Sequence, residues 1–527
     1  MNLQIKRILT GAVLCAALSP APAEASEVLS VDRHRVTRID DPFVPAQAVS
    51  DLGQAPRVRP AGPARSARTS TSRLGRAIAA MAQGGRRTAS TSRKRPGPTR
   101  GEKAVDRALR RALRARRISR RTLNHYRRLL VRARSTRRRL RGARGRELGG
   151  VITTLEAVAI RGQLSPSRLH PLFLILRRNT EYWPRGPFPR NRDRVTFRGS
   201  ELLFEYYRGS GLQLQPLANF KKANLMHRAC VEDVGQECRR NGLRRLLQEM
   251  TSTSSWRGGF RAWEYFFSFG GGRPPWVSGM AQATAIQAYA RAWRLLGNPG
   301  YLGTARQAFR AFETAPPTGV AARGPLGGTH YLQYSFAPRL FIINAFLQSL
   351  IGLYDFAELT GDPTARRLFE AAEPEARAEV PRNDTGDWST YSFGGRESTR
   401  GYHELLREFL ASACSRLGTS VYCDTATRFR LYATEPAVIA LLGPTSAFAG
   451  VTTQVSFSLS KLSAVQLTIT RNGVTELDEV RTFRAGAGAF AWTPKSAGAY
   501  SVRLAAKELR TGRDLRTRLT GEIQSLP

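Results

Sequence analysis

Between Asn219 and Tyr432 apolar residues return every three or four positions, and the spacing predicts successive helices over 219–229, 239–251, 280–296, 301–313, 338–360, 363–378 and 402–416. The most apolar of them follows directly on a polar, aromatic loop. His330, Tyr331, Gln333 and Tyr334 stand in that loop, Pro338 marks the helix start, and Leu340, Ile343, Phe346, Leu347, Leu350 and Ile351 recur at helical spacing. A helix apolar on nearly all sides belongs among other helices, and Arg339, Asn344 and Gln348 interrupt it too often for a membrane span. Repeated helix pairs with long connecting loops predict a mainly α fold, an α/α toroid whose loops gather at one mouth.

The pattern changes on both sides of this region. EYWPRGPFPR, Glu181 to Arg190, is proline punctuation, and RVTFRGSELLFEYYRGSGLQLQP after it reads as a small β-hairpin unit, giving one unit over 190–435. Upstream, Val105, Leu109 and Leu113, then Leu123, Tyr126 and Leu130, predict basic amphipathic helices in an Arg-rich segment over 101–180. Residues 26–100, rich in Pro, Ala, Ser, Thr and Arg without sustained periodicity, read as a disordered basic linker. After Glu435-Pro436 the alternation in TTQVSFSLS and AVQLTITRNG predicts an immunoglobulin-like β-sandwich over 437–527, an accessory domain for glycan, wall or partner protein.

A chain of 527 residues exceeds one ordinary core. Lys6 and Arg7, the apolar run Ile8 to Leu18 and Ala23-Glu24-Ala25 form the pattern of a signal peptide over 1–25, with a short membrane anchor as the alternative; the expected location is secreted or cell envelope. Cys15 would leave with that peptide. The other four cysteines fall in two close pairs, Cys230 with Cys238 and Cys414 with Cys423, as for local disulfides; a four-thiolate metal site lacks any C-x-x-C spacing. Net charge is +43, with 83 basic residues against 40 acidic. That excess, mostly Arg and densest before residue 150, points to a polyanion. In an exported chain the partner expected is an acidic polysaccharide, with the basic N-terminal region against a cell wall or anionic surface, rather than nucleic acid. The reading leaves room for a homodimer.

Three separated blocks resemble the C-terminal domain of the D-glucuronyl C5-epimerases, which invert C5 of glucuronic acid in heparan-type polysaccharides. WVSGMAQATAI (Trp276 to Ile286) is similar to the family's W-Y-S-x-M-A-Q-G-Q-A-I. The tyrosine loop followed by NAFLQSLIGLYDFAELTGD is similar to Y-E-E-Y-P…N-G-F-x-x-S-L-I-G-L-Y-D. DTGDWSTYSF (Asp384 to Phe393) with GYH (Gly401 to His403) resembles D-T-G-S-G-T-I-Y-D and D-Y-H. The blocks cover roughly Arg198 to Tyr432. The resemblance implies a toroid, an epimerase, and Tyr334, Tyr391 and Tyr402 as its catalytic tyrosines.

C5 epimerisation removes a proton α to a carboxylate and returns one from the opposite face, so it needs acid/base groups on two faces and a clamp for the carboxylate, and no cofactor. Arg396 and Arg400 stand near the last tyrosine as clamps. Tyr331, Gln333, His403, Asn344, Trp276 and Gln282 complete the substrate-binding candidates. One departure bears on mechanism. Where the family has two glutamates before the loop tyrosine this chain has Leu332 and Gln333, so Tyr331, Tyr391 or Glu397 would replace a lost base, or the toroid binds glycan without turning it over, or it is a lyase.

Overall fold

The computed structural model describes residues 26–32, 35–46 and 97–527. The signal-peptide reading with Cys15, and the linker over 47–96, lie outside the described residues. Two strands begin the described chain, β1 (Ser26–Val31) and β2 (Val36–Asp41). Four helices follow: α1 (Arg100–Arg114), α2 (Arg120–Arg139), α3 (Gly142–Ile160) and α4 (Pro166–Tyr182). Next come β3 (Arg194–Phe197), β4 (Phe204–Tyr207) and β5 (Gly211–Leu214). They join β1 and β2 in one five-stranded sheet, ordered β2-β1-β3-β4-β5.

This sheet corrects the linker expectation. β1 pairs in parallel with β3, Leu29 opposite Val195, and Val28, Leu29, Phe43 and Val44 are buried. Six-residue strands with a partner far along the chain leave no local signal in a window dominated by Ala, Pro and Arg. The Arg-rich helices are likewise not a separate body. They share a single hydrophobic core with the central helices, and Glu147 of α3 accepts from the backbone N–H groups of Gly209 and Gly211 and from the Tyr206 hydroxyl.

The central region is a ring of helix pairs. The inner helices are α5 (Pro216–Val231), α7 (Gly279–Leu296), α9 (Ile343–Thr360) and α12 (Arg400–Leu417). Against them lie α6 (Arg240–Ser252), α8 (Gly300–Arg306), α10 (Pro363–Glu370), α11 (Glu373–Glu379) and α13 (Ser420–Thr434). Neighbouring inner helices pack side by side, and Lys221 of α5 over the Phe409 ring of α12, 5.0 Å from its centroid, closes the ring. The caps explain the boundaries. The Ser278 side chain accepts from Ala281 N at the start of α7, and Gly297, φ 71°, ends it in the left-handed region that glycine adopts freely. α7 and α9 approach so closely that a Cβ on Gly352 would meet the Ala283 carbonyl oxygen at 2.5 Å.

Three helix boundaries differ from expectation. α9 begins at Ile343 rather than Pro338, because residues 338–342 stay in the loop, where the Phe341 carbonyl accepts from Phe393 N at 2.9 Å. The helix expected over 363–378 breaks into α10 and α11, and 301–313 into α8 and a 3₁₀ turn, Phe309–Phe312. α13 was not expected; the Cys414–Cys423 disulfide staples its start to the end of α12, and Cys230–Cys238 bridges the end of α5. Both pairs form as the spacing predicts, and such bonds fit an oxidising, extracellular setting. Among the described residues no helix is long and apolar enough to cross a membrane.

The C-terminal region holds two sheets, β6 (Ile439–Gly443), β8 (Thr453–Leu459) and β11 (Gly486–Trp492) against β7 (Ser446–Phe448), β13 (Arg516–Leu526), β12 (Gly498–Glu508), β9 (Ser463–Arg471) and β10 (Val474–Phe483). Inward residues of both, among them Phe457, Phe490, Val465 and Val502, form a second core. This unit is docked on the toroid through charge. Lys461 Nζ donates to the carbonyls of Leu431, Tyr432 and Glu435 at the end of α13. Arg510 spans Asp387 (2.5 Å) and Glu397 (2.9 and 3.0 Å) in the loop that precedes α12.

Candidate functional site

The inner helices all start at the same end of the ring, so the loops before α7, α9 and α12 meet there. Two of them are hydrogen-bonded to each other through Phe393 N and the Phe341 carbonyl. On the α12 side Tyr391 and Tyr402 are in edge contact, ring centroids 5.1 Å apart, and Asn344 Nδ2 donates to the Tyr402 carbonyl at 3.3 Å. The Asn344 Oδ1 is buried without a partner among the described residues. Arg396 is exposed on the same loop, and its carbonyl accepts from Tyr391 N. On the α9 side the buried Tyr334 ring packs against Phe269, Trp276 and Phe336, with centroids at 5.8, 5.8 and 5.3 Å.

The sequence reading missed the cation that lies one ring beyond Tyr334, across Phe269. Arg192, in the turn before β3, has φ 79°, a conformation unusual for a residue with a side chain. Its guanidinium lies over the rings of Tyr207 (4.8 Å) and Phe269 (5.6 Å) and bonds Glu205 at 3.2 Å. Glu205 is buried and also paired with Arg194. Tyr207, Gln215 and Tyr265 carry the polar wall on to Trp276: Tyr265 donates to Gln215 Oε1 at 3.2 Å and stacks on the Trp276 ring at 4.2 Å. A single Arg in the turn before a strand has no motif to announce it.

A second missed group is Lys221. Its ammonium, enclosed by the inner helices, donates to Gln348 Oε1 at 2.9 Å, one turn along α9 from Asn344. Burial, with Arg291 nearby, lowers its pKa to about 7. A lysine that exchanges protons near neutrality inside a ring of helices is a candidate acid/base group.

Several expected site residues serve the scaffold instead. Tyr331 is buried, its hydroxyl donating to the Leu368 carbonyl at 2.6 Å, and burial pushes its pKa up, which removes it as a replacement base. Gln282 is consumed by the backbone of Trp263 and Arg261, and Trp276 Nε1 donates to the Phe267 carbonyl. Gln333 accepts from the Ser278 hydroxyl at 3.0 Å. His403 is buried between Ser389 and the Phe429 carbonyl, stacked on Trp388 at 3.7 Å, and burial lowers its pKa to about 4. Arg400 pairs with Glu404 at 2.9 Å on the outside of α12, and Glu397 is held by Arg510 and Arg484. Tyr391 and Tyr402 come together; Arg400 and His403 are turned away from them.

The loop bearing Tyr334 also rests on a buried neutral pair, His330 Nδ1 and Glu379 Oε1 at 2.8 Å. Burial, reinforced by Glu375, raises the Glu379 pKa to about 9, and burial lowers that of His330 to about 3. A carboxyl whose folded pKa is raised contributes stability that is lost as pH climbs from 4.5 towards 9, whereas the His330 contribution is complete above 6.5. Above pH 7 Lys221, whose folded pKa of about 7 lies below its ordinary 10.5, gains stability with pH and opposes this loss, so the expected result is a difference: Glu379→Gln, which keeps a donor to His330, should show a melting temperature that rises more steeply with pH between 6.5 and 9 than that of the wild type. Equal pH slopes in the wild type and in Glu379→Gln across this range would refute the pairing.

A ring of paired helices with tyrosines and a guanidinium in the loops at one end defines an α/α-toroid protein with a polar aromatic site. Residues 257–431 match the family described as "D-glucuronyl C5-epimerase C-terminus". A D-glucuronyl C5-epimerase of Caenorhabditis elegans is 32% identical over 130 residues, 22% of this chain and 21% of that protein. An uncharacterized protein of Methanocaldococcus jannaschii is 24% identical over 177 residues, 32% of this chain and 58% of that one. The chain thus spans about a fifth and under three fifths of these two curated relatives. Among solved structures, a GH76 α-mannanase of Bacteroides thetaiotaomicron has a TM-score of 0.33 at 11% identity, covering 45% of this chain and 65% of that one. A polysaccharide lyase has 0.30 at 10%, covering 42% and 59%.

Proposed function

We propose that the protein is a secreted carbohydrate-active enzyme that inverts C5 of uronic acid residues in an acidic polysaccharide. The observation that carries this reading is the contact of Tyr391 with Tyr402 at the mouth of a toroid whose sequence matches the epimerase family. In the proposed reaction one group takes the C5 proton, the electron pair is held in the carboxylate as an enediolate, and a group on the other face returns a proton. One proton leaves and one enters, with no change of oxidation state. Tyr402 and Tyr391 form one face, Tyr334 with Arg192 the other, and Arg192 and Arg396 are the cations that would take the growing carboxylate charge. Lys221 supplies a neutral base near pH 7 in place of the carboxylate that Gln333 does not offer.

The C-terminal unit is read as an immunoglobulin-type accessory module, since its first strand is divided between two sheets ordered β6-β8-β11 and β7-β13-β12-β9-β10. Incubation of the full chain in heavy water with a panel of uronate polymers is expected to place deuterium at C5 of at least one. A rise in ultraviolet absorbance from an unsaturated uronate would show a lyase. Binding without exchange would favour the second reading that Gln333 supports, a glycan-binding toroid.

A further inference from the structure

α2 and α4 lie side by side, running in the same direction, and two clefts of about 370 and 1130 Å³ follow each other along the groove between them. On α2 the lining residues Arg121, His125, Arg128, Arg132, Thr136 and Arg139 recur at three- and four-residue steps, so they form one stripe on one helix face. His170 and Arg177 form the facing stripe of α4, and Arg185 continues it in the turn after that helix. The floor is apolar: Tyr126 stacks on Phe173 at 4.2 Å, and Arg178 lies over the Phe197 ring at 4.5 Å. Two carboxylates enter the groove, Glu181 paired with Arg178 at 3.0 Å and Asp32 paired with Arg198 at 2.7 Å. α2 itself has nine arginines and no acidic residue, and Arg121, Arg128 and Arg132 have no carboxylate partner among the described residues. Holding that many like charges on one face costs stability through self-repulsion, which a bound polyanion relieves.

We infer that the α2–α4 groove is a second binding site, apart from the toroid mouth, for an extended anionic polysaccharide, its carboxylate or sulfate groups taken by the facing arginine stripes. The spread of the stripes suits a polymer rather than a single sugar: residues 121–139 of one helix span about 27 Å at 1.5 Å per residue. Guanidinium forks match carboxylate and sulfate oxygens in pairs. Single-stranded nucleic acid would want exposed aromatic platforms, and here Tyr126, Phe173 and Phe197 are buried in the floor. The choice of glycan as the polyanion rests on the function proposed above; the groove itself does not.

The test uses the full chain and a fluorescent glucuronate polymer, with affinity measured against salt. Arg128→Ala/Arg132→Ala/Arg139→Ala changes three exposed side chains, so its melting temperature should hold while Kd rises tenfold or more and the log–log salt slope falls by about two. On the wild-type protein, arginine modification by phenylglyoxal mapped by mass spectrometry should show these three positions protected by the polymer. Unchanged Kd and slope with no protection would overturn the inference, as would tighter protection by a DNA duplex at the same salt. C5 exchange on a short oligosaccharide, measured alongside, separates the two proposals. Wild type that protects the groove without exchanging C5 refutes the epimerase alone, and exchange with an indifferent groove refutes the groove alone.

Discussion

Tyr402→Phe is expected to lower C5 deuterium exchange by about 10²–10⁴-fold, the usual contribution of a positioned acid/base group, with little change in melting temperature. The substitution removes one hydroxyl. The ring that meets Tyr391 at 5.1 Å stays, and so does the backbone carbonyl that accepts from Asn344. Loss in kcat and kcat/KM together would mark an interaction made in the transition state, whereas a rise in KM alone would mark binding. Full activity in the variant would move the chemistry to Tyr391, Tyr334 or Lys221. Lys221→Met then discriminates, because it removes the group whose pKa burial sets to about 7 and should flatten the pH profile in that region.

Arg510→Ala is expected to uncouple the C-terminal two-sheet unit from the ring of helices. Arg510 is nearly enclosed, with a side-chain exposure of 9%, and its partner Asp387 is at 6% while Glu397 is at 33%. Removing one member of a buried ion pair costs about 3–5 kcal/mol because the partner is left charged and unpaired; the exposure of Glu397 puts the expected loss at the lower end. Calorimetry should show a lower or divided transition, and exchange should weaken because Asp387 and Glu397 flank Tyr391 in the same loop. Asp387→Asn and Glu397→Gln added to Arg510→Ala should restore part of the stability. A single unshifted transition in Arg510→Ala would refute the coupling.

What the sequence made legible was local. α7 announces itself by a serine cap, an apolar period and a terminal glycine, and the cysteine pairs are eight and nine residues apart, within one or two turns of chain. What it concealed was tertiary. Lys221 reads as an ordinary solvated lysine because its enclosure is made by three other helices. Arg192 gains meaning only from Tyr207 and Phe269, and Glu397, attractive beside Tyr391 in one dimension, is spent on an arginine more than a hundred residues away. Tyr331 and Tyr334 are three residues apart in a matching loop, yet the chain turns one hydroxyl to the Leu368 carbonyl and packs the other ring against Trp276. Such a difference depends on backbone direction, which residue identity does not encode.

The pairing of β1 with β3 also sets an order of events during synthesis. Leu29 leaves the ribosome long before Val195, its partner in the sheet, and at about 5–20 residues per second that interval is roughly 10–30 s. Over that time β1 and β2 have only each other, and a lone two-stranded ribbon is marginal in water. The four Arg-rich helices emerge meanwhile and rest on local contacts, so they can form first and wait as a strongly cationic body whose charge opposes self-association. The edge of β1, with Val28 and Leu29 uncovered, is then the part of the nascent chain most open to mispairing and to capture by a chaperone, until β3 arrives to cover it.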